Sequence, residues 1–114
     1  MDIAVAIGGV PDAENDAGEG VQIYFGDGQG DFALGPFFVA GDRPLALKSG
    51  HLNRDNLPDL AVVNNTDGTV TIHLNRGLPD FDFVLGDTLD VGARARDIAV
   101  ADVNDDGTDD LIVA

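Results

Sequence analysis

Short apolar runs, each closed off by Gly, Asn or Asp, recur from one end of the chain to the other. In Val21-Gln-Ile-Tyr-Phe25 and Val70-Thr-Ile-His-Leu74, apolar residues alternate with polar ones on a period of two. That alternation predicts strands with one set of side chains on each face. Asp2-Ile-Ala-Val-Ala6, Asp59-Leu-Ala-Val-Val63 and Asp110-Leu-Ile-Val-Ala114 align as three copies of a further strand. No segment carries a helical period, so the pattern predicts an all-β protein.

The runs repeat in a fixed order. Beyond the aligned strands, Gly28 matches Gly77, Gly41-Asp-Arg43 matches Gly92-Ala-Arg94, and Leu47 matches Ile98. The offset is 57 residues at the start, 49 at Val21/Val70 and 51 at the end. Each repeat thus reads as four strands, A to D. Strand A covers 44–48 and 96–101, and strand B follows the next loop. Strand C covers 21–25 and 70–74, and strand D lies around 33–40 and 83–89. Asn65-Thr-Asp67-Gly68 supplies a tight B–C turn, with glycine free to take positive φ. A period near 50 residues is that of a propeller blade or of a β-sandwich hairpin pair. The expected fold is a β-propeller fragment of two four-stranded antiparallel blades plus an extra strand pair. Its divisions are 2–40 (a partial blade, B to D), 41–91 (a complete blade) and 92–114 (strands A and B of the next). Two blades cannot close a ring of about four to eight. The expectation is therefore a piece of a larger propeller or a unit that assembles with its own copies.

Charge narrows the partners. The chain carries 21 acidic and 6 basic residues, a net charge of −15. Nucleic acid is excluded as a partner, because binding phosphates needs clustered Lys or Arg. An anionic membrane surface is disfavoured for the same reason, and no run is long enough to insert into a bilayer. Asp supplies 19 of the 21 acids, which favours turns and metal loops over helices. A solvated, halotolerant surface is the plainer reading of that excess, and the single lysine, Lys48, suits it. Without cysteine, neither disulfides nor thiolate metal sites are available.

The acids are not spread evenly. In Asp102-Val-Asn104-Asp-Asp106-Gly107-Thr-Asp-Asp110, oxygen-bearing side chains fall at loop positions 1, 3, 5 and 9, with glycine at 6. Calcium takes about six to eight oxygens, and alternate inward residues around a glycine reversal supply them. Five carboxylates crowd this loop, and each neighbouring pair repels by about 1 kcal/mol at 4 Å even in bulk water. An EF-hand would need Glu at position 12 and a following helix; here position 12 is Val113, in a β run. Dockerin-type loops fail on the same missing helix. A second copy, His51-Leu-Asn53-Arg-Asp55-Asn56-Leu-Pro-Asp59, begins 51 residues upstream and also runs into a strand.

The stretch ARDIAVADVNDDGTDDLIVA, with GTVTIHLNRGLPDFDF before it, resembles the FG-GAP/VCBS repeats of integrin-α-type and bacterial surface β-propellers. The resemblance implies one Ca²⁺ per A–B loop. Asp102, Asn104, Asp106 and Asp110 would then be side-chain ligands, and Thr108 would offer its carbonyl. Asp105 and Asp109 would be solvated spectators. In the upstream loop Asn53, Asp55, Asp59 and the Leu57 carbonyl remain. However, His51 replaces a hard oxygen ligand with imidazole, Arg54 adds an opposing charge, and Asn56 stands where the turn has glycine. Binding there is expected to be weak. Of the first repeat's loop only Asp2 is in the chain.

Function follows from the resemblance: a non-catalytic, extracellular or cell-surface scaffold for adhesion or for binding a protein or carbohydrate. Its neighbours would be adjoining blades or other copies. The alternative is the propeller portion of a secreted polysaccharide-active enzyme, but the chain shows no convergent acids, His or Arg. Ser49 near His51 lacks the acid–base partner of a nucleophile pair. His73 falls in strand C as a surface or interblade residue. Gly26-Asp27-Gly28-Gln-Gly30-Asp31-Phe32 lacks the Lys and helix N-terminus of a phosphate loop. It is expected to be the C–D turn, with Phe32 and Phe81 as core plugs. Asp80 and Asp82 mark a solvent face, and residues 11–18 form a polar B–C loop.

Overall fold

A computed structural model of the chain describes residues 1–8, 19–77 and 82–114. The expected loop at 11–18, Asp80 and Phe81 lie outside the described residues. Nine strands form three antiparallel sheets, with no helix among the described residues. Sheet I holds β1 (Ile3–Ile7), β2 (Gly20–Gly26) and β3 (Phe32–Val39) in that order. Sheet II holds β4 (Pro44–Gly50), β5 (Asp59–Asn64), β6 (Thr69–Asn75) and β7 (Phe83–Asp90). Sheet III is the pair β8 (Ile98–Ala101) and β9 (Asp110–Val113). Among the described residues one sheet has four strands, where the expected fold had two such sheets. Strand β8 starts two residues later than predicted, because the Arg96 and Asp97 N–H groups both converge on the Ala114 carbonyl.

Sheet II lies between the other two. Pairing of Leu60 with His73 and Val62 with Thr71 sets those residues on one face; Ala61 with Ile72 and Val63 with Val70 sets these on the other. Leu60 and Val62 pack with Val21 and Ile23 of sheet I, joined by Phe38 and Phe83. Ala61, Val63, Val70 and Ile72 pack with Ala95 and Ile98, joined by Leu111 and Val113 of sheet III. Every residue of β5 is therefore buried. The sheet I–II interface also carries a polar chain. Asn64 accepts the Gly41 N–H at 2.9 Å and donates to Thr71 Oγ1 at 3.1 Å, and Thr71 Oγ1 lies 3.0 Å from His73 Nε2. His73 is 2% exposed, with its ring 4.6 Å from that of Phe38. It is an inter-sheet residue, and burial lowers its pKa to about 4.

Equivalent positions share backbone conformation. Gly28 and Gly77 both have positive φ, as do Arg43 and Arg94. Gly68 closes the β5–β6 turn at φ 70°, its N–H bonding the Asn64 carbonyl. Phe32 departs from expectation: it is 48% exposed. It pairs with Gly26, on the face of sheet I turned away from sheet II, so it plugs no core.

Candidate metal centre

The loop 102–110 joins β8 to β9, whose register sets Ala101 opposite Asp110. The carboxylates of Asp102, Asp106 and Asp110 turn back on the loop's own backbone. Asp102 accepts the Asp106 N–H at 3.2 Å through Oδ1 and the Gly107 N–H at 2.9 Å through Oδ2. Asp106 Oδ1 accepts the Thr108 N–H at 2.9 Å, and Asp110 Oδ2 accepts the Val103 N–H at 2.9 Å. Gly107 makes the reversal at φ 83°, and Asp105 also takes the left-handed region at φ 59°. Asp is among the residues that tolerate it best. The oxygens at positions 1, 5 and 9 thus crowd one small loop with no cationic side chain among them. They are not gathered at a common point: among the described residues no three His, Cys, Asp or Glu side chains sit close enough to hold a metal ion. The donor set is all oxygen, which suits a hard cation. Binding one would require these carboxylates to converge.

The loop 51–59 is built on the same plan with one end altered. Asn53 Oδ1 accepts the Asp55 N–H at 3.3 Å and Asp55 Oδ1 the Leu57 N–H at 3.0 Å. Asn56 takes φ 62° in the place of Gly107, as its tolerance of that region predicts. The imidazole of His51 cannot replace the Asp102 carboxylate as an acceptor for two loop N–H groups.

Asp59 is fully buried. Its Oδ2 accepts the Leu52 and Asn53 N–H groups at 3.2 and 3.3 Å, and its Oδ1 the Asn75 N–H at 2.9 Å. Asp110 makes the first kind of bond, to Val103; Asp2 makes the second, to Gly26 N–H at 3.0 Å. The ninth position therefore ties the loop start to strand B and strand B to the end of strand C. This structural role was missed by the sequence reading, which weighed Asp59 and Asp2 only as ligands. The long reach of the bond to Asn75 hid it.

Asp109 is not a spectator. Its Oδ2 accepts the His51 N–H at 2.8 Å, and its own N–H donates to the His51 carbonyl at 3.0 Å. The two loops meet there because β8 leans on β4 where β4 ends in Gly50; a Cβ on Gly50 would lie 2.4 Å from Val100 Cγ1. Elsewhere, Asp27 Oδ1 accepts the Gln29 and Asp31 N–H groups, making the expected turn of 26–32. Asp82 lies 3.8 Å from Arg76 in an exposed ion pair.

Antiparallel sheets whose A–B loops repeat an aspartate-rich plan define a class of β-repeat protein. The chain belongs to the FG-GAP-like repeat family, whose model matches residues 51–113. No curated protein and no solved structure matches it.

Proposed function

We propose that the chain is a calcium-stapled segment of a β-propeller, serving outside the cell as a non-catalytic scaffold for a protein or carbohydrate ligand. The observation that carries the calcium reading is the turning of Asp102, Asp106 and Asp110 onto their own loop, with no basic side chain among them. Asp102, Asn104, Asp106 and Asp110 would hold the ion with the Thr108 carbonyl, and its charge would offset the mutual repulsion of the acids. In the loop 51–59, Asn53, Asp55 and the Leu57 carbonyl are the oxygens left to a cation. Asp59 already accepts three N–H groups, so that loop binds more weakly. Calcium's work is to hold each A–B hairpin closed.

A melting curve with and without chelator tests this. Calcium at about 100 times its Kd adds about 2.7 kcal/mol, near 10 °C for a domain of this size. The shift should vanish in Asp106→Ala and persist in Asn53→Ala. A wild-type melt indifferent to calcium refutes the reading.

The arrangement of the three sheets supports a stack that continues. Leu60 and Val62, which face sheet I, are 5% and 0% exposed; their equivalents Ile3 and Val5 are 41% and 40% exposed, beside Leu34 at 74%. This apolar face fits a further sheet of the same kind, from an adjoining blade or another copy. Sedimentation of the 114-residue chain at micromolar concentration tests the second source. Association abolished by Leu34→Lys supports it, and a folded monomer refutes it.

A further inference from the structure

We propose that Asp109 clasps the two aspartate-rich loops together, so that a divalent cation ordering residues 102–110 also orders residues 51–59. The coupling rests on the calcium reading above; the clasp itself does not. Asp109 and His51 exchange two bonds, carboxylate to N–H at 2.8 Å and N–H to carbonyl at 3.0 Å, across 58 positions of sequence. Asp109 lies between Thr108 and Asp110, both assigned to the ion. Its backbone cannot shift without moving one of them. At the other end, His51 is the first residue of its loop and lacks the carboxylate by which Asp102 holds its own loop from within. The start of the loop 51–59 is thus held from within by Asp59, at the Leu52 and Asn53 N–H groups, while His51 itself is held by the neighbouring loop. Gly50 makes the approach possible, since Asp109 Oδ2 lies 3.0 Å from where a Cβ would stand. The clasp also has a direction. Pro58 occupies the position equivalent to Asp109 and has neither an N–H nor a carboxylate, so the loop 51–59 cannot pass the same pair of bonds toward sheet I. Linkage then requires that filling one loop raise the cation affinity of the other.

The test is amide hydrogen exchange by NMR on the 114-residue chain, with calcium alone as the probe, in wild type, Asp109→Ala and Asp109→Asn. In wild type, calcium should slow exchange at Gly107 and also at His51, the latter about fivefold or more, the worth of one hydrogen bond. In Asp109→Ala, Gly107 should still respond and His51 should not. Asp109→Asn keeps an acceptor and should restore part of the His51 response. Without calcium, His51 should already exchange faster in Asp109→Ala than in wild type. A wild-type response at Gly107 with none at His51, or an equal His51 response in Asp109→Ala, overturns the coupling and leaves the ion site standing. No response at Gly107 in wild type overturns the ion site and the coupling together, and the calcium-free comparison then judges the clasp alone.

Discussion

Replacing Asp59 by alanine removes the one acceptor shared by three backbone donors, Leu52, Asn53 and Asn75. The carboxylate is fully buried and accepts from these three N–H dipoles. A buried donor left without a partner costs about 1–3 kcal/mol. The Asn75 N–H bond is buried and bears the full penalty. The other two donors sit where water reaches in part, so each bears less. The sum is about 3–5 kcal/mol, against roughly 5–15 kcal/mol for a whole domain. Urea unfolding followed by circular dichroism, in chelator so that hydrogen bonding alone is measured, should show the midpoint falling by about 2 M. Asp2→Ala is the internal control. It removes one exposed bond, to Gly26, and should cost about 1 kcal/mol or less. Asp59→Asn keeps one carbonyl oxygen and should fall between them. If Asp59→Ala lies within 1 kcal/mol of wild type, or matches Asp2→Ala, the hub role is wrong.

Stability should also respond to pH through His73. Its folded pKa, about 4, lies below the ordinary value of 6.5. The unfolded chain therefore binds the extra proton first, and stability is complete above pH 6.5 and lost as pH falls toward 4. The loss is about 3 kcal/mol, measured as the difference between wild type and His73→Gln across that window; parallel pH profiles would contradict it. Gly50→Ala should destabilise by about 1–3 kcal/mol, since the new methyl would meet Val100 and the Asp109 carboxylate. Gly92→Ala, at φ 85° with open space around it, should cost only about 1 kcal/mol of backbone strain. Equal losses at the two glycines in urea melts would refute the close packing of β4 on β8.

The strands were legible because their pattern is local. Alternation along Val70–Leu74 and the unbroken Leu60–Val63 run predicted β6 and β5, and the turn at 65–68 announced itself through its glycine. The loop geometry was legible for the same reason: Asn56 and Gly107 share a position and a left-handed conformation. What escaped were roles set by distant partners. Asp109 read as solvated because its partner, His51, is 58 residues away. Thr71 and His73 sit at the polar positions of their strand yet are buried, because sheet II is covered on both sides. Phe32 read as core because it is aromatic, but it lies half-exposed on the face of sheet I turned away from sheet II. Periodicity assigns a residue to a face; it does not say what packs on that face.

The central claim is that residues 102–110 hold a calcium ion, and calorimetric titration of calcium into the chelator-treated chain tests it most directly. The account predicts one well-defined site per chain, absent in Asp106→Ala and intact in Asn53→Ala, with any second, weaker site lost in the latter. Absence of binding heat in wild type across a range of temperatures, or a site unaffected by Asp106→Ala, would contradict it.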